Sequence, residues 1–464
     1  MSELVVSARR DTRLPGLLSP GNSPAALSAC AYLAELAARR LSALDYVRAC
    51  FDRIERFEPV LHAFKTVSRE RAEARARAID EALSGSGRVK ALSGVPVGVK
   101  DVFNTYDFPT GMGSPILEHY QPGNDARAVS DIRLEDGIIA GKTVTAEFAV
   151  HTPGPTVNPH DLARTPGTSS SGSAAAVSSY MVPVALGTQT AGSIVRPASY
   201  CGVMGFKPSF GLVPRTAVLK TTDTLDTVGY LARAIEDLRL LFEVTRVRGH
   251  NYPVSEAGLA DPARQAPAGR PWRVGVVHGP MSAVERPAVR GRLAEAARRL
   301  AEAGCEVFDY ALPEAFWQAH ETHEAIYRRA LAYYFQHEWK SHADKFSPRM
   351  QAMIEAGLGI APEAYQAALA RQVELTARFD AEASARFDVL IGPSTSDEAP
   401  LGLDAEDLPD HCLIWTMAGA PVISLPLLAG TTGLPVGLQL VARRFADYKL
   451  LDFADLAWHA LAPR

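Results

Sequence analysis

Apolar and polar positions along the chain fall into two textures. In the first, apolar residues recur at helical spacing. This predicts helices over Ala25–Arg40 and Ser42–Phe57, the second with Leu44, Val47, Cys50 and Ile54 on one face and Ser42 as its N-cap. A charged helix follows over Ser68–Leu83 and ends at Gly85-Ser86-Gly87. Residues 1–24, with Pro and Gly, read as an irregular arm. In the second texture, apolar residues run continuously rather than alternating. Ala91–Phe103, the segment opening at Gly137–Gly141, Val182–Leu186 and Val203–Phe206 read as strands buried on both faces. Residues 251–271, rich in Pro, Ala and Gly, read as a surface linker. A strand at Trp272–Val277 and an amphipathic helix at Arg286–Ala303, with Val289, Leu293 and Leu300, come next. Residues 313–386 are mostly helical, and strands return at Phe387–Ile391 and Val436–Val441. The alternation predicts an α/β fold: a large mixed, mostly parallel sheet covered by helices on both faces. One domain is expected over 25–464, with a helical lobe at about 285–386 and no internal repeat.

Composition narrows the function classes. Of the 464 residues 47% are hydrophobic and 22% charged, and the net charge is −4, as in a soluble globule with no basic footprint for nucleic acid. The first residues, MSELVVSARRDTRLPG, lack the apolar run of a signal peptide, and no apolar segment is long enough to span a membrane. Five scattered cysteines, with no paired metal spacing, fit a reducing compartment. A cytoplasmic protein that binds neither nucleic acid nor membrane is the expectation.

The chemistry concentrates between 162 and 222. This stretch has no Asp, Glu or His, yet residues 165–211 carry seven Gly and nine Ser. It is no flexible linker, because Ala174-Ala175-Ala176-Val177 and Val182–Leu186 must be buried. A serine nucleophile here needs a base. The G-x-S-x-G elbow and the S-x-x-K pattern are both absent. A distant His is not excluded, and a lysine from elsewhere is the other route. Only nine of 48 cationic residues are lysine. Lysine, unlike arginine, can become a neutral base when buried. Lys100, ending the apolar run Gly94–Val99, is the leading candidate; the ordinary reading is a strand-end lysine facing water or paired with Asp101.

These residues resemble the amidase signature family. Gly167-Thr168-Ser169-Ser170-Ser171-Gly172-Ser173-Ala174 and Gly187-Thr188-Gln189-Thr190-Ala191-Gly192-Ser193-Ile194-Val195-Arg196-Pro197-Ala198 carry the likeness. Gly94–Asp101, Cys201-Gly202 with Phe206-Lys207-Pro208, and Gly433–Gln439 add to it, so that it spans roughly 25–460. The resemblance implies a Ser–cis-Ser–Lys triad: Ser193 as nucleophile, Ser169 as bridging serine after a cis peptide, and Lys100 as base. It also implies an oxyanion hole from the backbone of Thr190, Ala191, Gly192 and Ser193, no metal or organic cofactor, and a homodimer, for which 25–57 is the natural interface, an ordinary helix pair capping the core being the equal alternative. The activity it implies is hydrolysis of a small-molecule carboxamide through an acyl-enzyme on Ser193. The alternatives are a transamidase subunit that passes ammonia to a partner protein and a catalytically weak binding scaffold. Three positions depart from the family's usual pattern: Thr168, Gln189 where Asp is usual, and Ala191 where Gly is usual.

The GTQT…GSxxRPA form resembles the malonamidase branch. There the arginine matching Arg196 holds a substrate carboxylate, so an amide bearing a carboxylate is expected; a structural arginine is the plainer reading. His320 and His323, three apart on a helix, lack the spacing and third ligand of a zinc motif. Lys142 and Cys201 read as buried structural residues. Trp317, Tyr327, Tyr333 and Tyr334 are either pocket aromatics or lobe packing.

Overall fold

Eleven strands join into one sheet because nearly every strand residue at its centre is apolar or small and both faces are covered. The computed structural model describes residues 14–462 except 86, 406, 408 and 409. The first thirteen residues of the expected arm, and Ser86 at the end of the charged helix, lie outside the described residues. In chain order the strands are β1 (Phe64–Val67), β2 (Pro96–Lys100), β3 (Ile138–Thr143), β4 (Val184–Gln189), β5 (Met204–Lys207), β6 (Thr227–Ala232), β7 (Arg273–His278), β8 (Glu306–Ala311), β9 (Val389–Pro393), β10 (Val422–Ala429) and β11 (Pro435–Ala442). Their order across the sheet is β1-β3-β2-β4-β6-β5-β10-β11-β9-β7-β8.

The α/β class and the mixed sheet agree with the sequence reading; the parallel majority does not. β2 runs parallel to β3 and β4, and β7 to β8 and β9, whereas the other six neighbouring pairs among the described residues are antiparallel. A continuous apolar run reports burial on both faces, and burial is the same for either strand direction. Tight connections decide the direction instead: β10 returns as β11 through a turn ending at Gly433, whose φ of +90° suits glycine.

Both faces are buried at the antiparallel end too. Ile391, Ile423 and Leu440 enter one apolar core, while their neighbours Leu390, Val422 and Val441 enter another. That is the period of two of a strand. Helices Pro287–Glu302 and Asp447–Leu461 pack on the sheet in the first core. Helices Ala319–Tyr334 and Pro362–Arg386 cover the second. The helices of the predicted lobe therefore gather over 319–386, whereas Pro287–Glu302 and β8 belong with the sheet. The expected linker at 251–271 holds a helix, Pro253–Ala260, with Leu259 buried. Near the N-terminus, helices Ala29–Ala37 and Ala43–Leu61 stack Tyr32 on Tyr46, ring centroids 3.9 Å apart, within the chain.

Three elements set up the functional region. β2 and β4 are parallel neighbours, so Lys100 and Gln189 end adjacent strands at the same edge of the sheet. Helix Ser171–Ser178 starts at that edge. Its N-terminus abuts β3 closely: Gly172 N–H donates to Val144 O (3.0 Å), and a Cβ at 172 would collide with Ala63 O and Val144 N. Backbone cannot yield to a methyl group as a flexible side chain can. We expect Gly172→Ala to cost about 1–3 kcal/mol or more and to lower the melting temperature measured by calorimetry; an unchanged Tm would show that the approach is not constrained.

Candidate active site

Lys100 is fully buried at the end of β2. Its Nζ lies 2.7 Å from Ser169 Oγ, 2.8 Å from Thr188 Oγ1 and 3.4 Å from Thr188 O. A neutral amine has two N–H donors and one lone pair. The two Thr188 oxygens take the donors, and the Ser169 hydroxyl can donate to the lone pair. Burial holds the ammonium form well below the usual lysine range, and the Asp226 charge offsets this only in part.

The other buried lysines differ. Lys142 pairs with Asp101 (2.9 Å) and donates to Thr110 Oγ1 (2.7 Å). Lys449 pairs with Asp388. Lys207 donates to the Pro208 and Ala420 carbonyls, and its burial lowers it to about 7. The remaining five lysines are exposed. The Lys100 amine alone of the nine has a serine hydroxyl as partner among the described residues.

Ser169 follows a cis peptide after Thr168. It precedes helix Ser171–Ser178, and Ser170 N–H donates to Ser193 O (3.2 Å), which ties the two serine segments together. Ser193 is 8% exposed. It closes a turn that leaves β4 at Gln189 and enters helix Val195–Cys201. The N–H groups of Ala191, Gly192 and Ser193 donate to no acceptor among the described residues. Three donors in one tight turn of small residues can stabilise an oxyanion.

The departures from the family pattern have visible roles. Gln189 Oε1 accepts from Ile194 N (2.9 Å) and Val195 N (3.0 Å), capping the helix after Ser193. Its Nε2 donates to Thr416 Oγ1 (3.0 Å). Thr168 donates through Oγ1 and N to Asp407. Ala191 is buried, and its carbonyl accepts from Thr416 Oγ1 (2.8 Å).

Arg196 is 2% exposed, and its fork is occupied. Nε and Nη2 donate to both oxygens of Asp410 (3.0 and 2.6 Å), and Nη1 donates to Asp407. The Asp410 carboxylate lies against the turn, since a Cβ at Gly192 would collide with it.

His323 meets the turn, and His320 meets the backbone at Asp410. His323 Nε2 donates to Thr190 O (2.9 Å) and His320 Nε2 to Asp410 O (3.2 Å). Burial pushes His323 down to about 4. Tyr327 is buried beside His323. Trp317 and Tyr333 are 56% and 65% exposed, and the Tyr334 hydroxyl donates to Asp223. Cys201 is buried, its thiol against Pro166 O.

Several residues here carry no signal in the sequence reading: Thr188, Asp226, Asp407, Asp410 and Thr416. Asp226 accepts from the hydroxyls of Thr190, Thr221 and Thr222 and from the last two N–H groups. It stands just past the carboxylate-free stretch, in a threonine-rich turn, and that is the one clue to it. Asp407 lies more than 200 residues from Thr168 and Arg196, and Asp410 and Thr416 lie as far from the turn they touch.

Comparison with known proteins agrees with this geometry. The family model described as Amidase matches residues 45–451. The chain is 34% identical over 461 residues to the A subunit of glutamyl-tRNA(Gln) amidotransferase from Acidothermus cellulolyticus, covering 90% of this chain and 91% of the relative. It is 31% identical over 479 residues to the corresponding protein of Picosynechococcus, covering 93% and 98%. Among solved structures, an amidase superposes with a TM-score of 0.83 at 28% identity, covering 94% of this chain and all of that one. The native peptide amidase of Stenotrophomonas maltophilia gives 0.79 at 25% identity, covering 95% and 98%. With a family model spanning most of its length, this chain belongs to the amidase signature family of enzymes that act on amides.

Proposed function

We propose that this chain cleaves a small-molecule carboxamide through an acyl-enzyme on Ser193. The observation that carries the reading is the Lys100–Ser169 contact, in which a desolvated lysine with no ion-pair partner among the described residues meets a serine hydroxyl at 2.7 Å. Lys100 accepts the Ser169 proton while Ser169 accepts that of Ser193, whose Oγ attacks the amide carbon. The developing oxyanion takes the N–H groups of the 190–193 turn. The proton returns along the same chain to the leaving nitrogen; ammonia or an amine departs, and water releases the acid.

Two fates for the released ammonia divide the reading. The curated relatives are A subunits of an amidotransferase, and this supports an A-type component that passes ammonia from glutamine to a partner protein better than it supports a free-standing amidase. Arg196 is buried with its fork on Asp407 and Asp410, so these less buried carboxylates are what a substrate ammonium would meet. That suits a zwitterionic amide such as glutamine better than an amide bearing only a carboxylate. The free-standing amidase is the second reading, favoured by the likeness to solved amidases. Ammonia release by the isolated chain separates them. Rapid turnover of simple carboxamides supports the free-standing enzyme; slow glutamine cleavage that rises when partner proteins are added supports the amidotransferase. The buried Lys100–Ser169 pair argues against a binding scaffold.

The homodimer belongs to the same reading. The apolar face of Ala43–Leu61 is buried within the chain at Tyr46, Val47, Phe51 and Ile54. A dimer contact there would use the polar outer face of the helix. No described helix is long and apolar enough to cross a membrane.

Two outcomes test the site. Because only neutral Lys100 is a base, kcat/KM should fall as pH drops through its lowered pKa, along a limb well below the free-lysine value of about 10.4. Lys100→Met should remove activity with the fold intact by circular dichroism; a rate unaffected by Lys100→Met would remove the assignment. Arg196→Gln should raise KM for glutamine roughly 10–100-fold, the worth of a hydrogen bond to a charged group, and change KM for propionamide less than about threefold. Equal effects on both amides would assign Arg196 to holding Asp407 and Asp410 alone.

A further inference from the structure

We infer that His323 and Thr416 are positioning residues that aim the oxyanion donors from behind the turn, an inference that rests on the proposed acyl-enzyme chemistry at Ser193. The argument is one of peptide geometry. In a trans peptide the C=O of one residue and the N–H of the next point in opposite directions. The single cis bond among the described residues is Thr168–Ser169, so the peptides of the 190–193 turn are trans. The Thr190 carbonyl accepts from His323 Nε2 at 2.9 Å, which turns the Ala191 N–H to the other side. The Ala191 carbonyl accepts from Thr416 Oγ1 at 2.8 Å, which does the same for the Gly192 N–H. The Gly192 carbonyl accepts Arg196 N–H (2.9 Å) in the first turn of the following helix, and this sets the Ser193 N–H. Three successive carbonyls are thus each held by a donor, and the N–H group opposite each of them is free of acceptors among the described residues.

Both anchors are themselves constrained. Thr416 is 1% exposed and accepts from Gln189 Nε2; its hydroxyl has two carbonyls in reach, Ala191 O at 2.8 Å and Cys412 O at 3.3 Å, and the shorter contact is the one to the turn. Gln189 also caps Ile194 and Val195, so one side chain joins both ends of the turn. His323 is 3% exposed on helix Ala319–Tyr334 and is neutral near neutral pH. Neither side chain has a contact with Lys100, Ser169 or the Ser193 hydroxyl among the described residues. Their effect is on the direction of the donors, which matters most when the carbonyl oxygen becomes charged.

The test compares Thr416→Val, which keeps the shape and removes the donor, with Thr416→Ser, which keeps the donor; His323→Ala and His323→Gln form an independent pair on the neighbouring peptide. Steady-state kinetics on one carboxamide is combined with the inhibition constant of an alkylboronic acid, whose tetrahedral Ser193 adduct places an oxygen among the turn's N–H groups. Thr416→Val and His323→Ala should each lower kcat roughly 10–100-fold, below or near the worth of a whole oxyanion donor. KM should stay within about threefold while the boronic acid weakens in step with kcat, and Thr416→Ser and His323→Gln should restore most of the loss. The inference is overturned if either pair leaves kcat within about threefold of the wild type. It is equally overturned if KM rises with the fall in kcat and the donor-keeping variants do no better. If the wild-type chain itself neither cleaves amides nor binds the boronic acid at Ser193, the acyl-enzyme reading falls first and takes the inference with it.

Discussion

Everything at this site depends on keeping one lysine uncharged. An ammonium group buried without a partner costs more than the interior can return, so the proton leaves instead. The chain arranges this by omission. Residues 162–222 hold no carboxylate, and the nearest one with an effect on Lys100, Asp226, is engaged by five donors from three threonines. Lys142, next door on β3, shows the opposite solution: a carboxylate at 2.9 Å keeps it an ion-pair member, and its amine has no serine hydroxyl as hydrogen-bond partner among the described residues. Two buried lysines in neighbouring strands differ in chemistry because one has Asp101 and the other has Thr188 and Ser169.

The second dependence is on the edge where β2 and β4 end together. A parallel pair presents both carboxyl ends at one place, and the segments that start there bring Ser169 to the lysine and Ser193 beside Ser170. Small residues are required for this. Gly172 lets the first helix abut β3, and Gly192 lets the Asp410 carboxylate lie on the turn. The carboxylates at 407 and 410 then saturate Arg196, which changes that residue's meaning. Taken alone it is a receptor for an acid; with two carboxylates against it, it is one part of a mixed-charge patch.

Much of the architecture could be read from residue order. Short apolar runs marked β2, β3, β4, β5, β7, β9 and β11, and the amphipathic spacing of Val289, Leu293 and Leu300 marked a helix on the sheet. Strand direction could not be read, since apolar runs record burial only. β6 and β10 are less legible, although both are largely buried, because Gly229 interrupts the first and Pro426 the second, where its pairing with β11 shifts register. His320 and His323 stand three apart on one helix, without the spacing or third ligand of a zinc motif. Spacing along a helix says that two side chains share a face; it does not say what faces them.

The sequence by itself determined the local chemistry: which lysine is embedded in an apolar strand, which serines lie in small-residue turns, and that no acid stands near them in the chain. Those are properties of neighbours within a few residues, where covalent geometry and propensity act directly. Only the tertiary structure decided how the turn is aimed and what Arg196 meets. His323 and Thr416 reach that turn from 133 and 225 residues away, and Asp407 and Asp410 meet Arg196 across similar separations. They arrive through a helical lobe and a loop whose positions are set by packing of the whole sheet. A hydrogen bond's direction depends on both partners' positions in space, and for distant partners those positions exist only once the chain has folded.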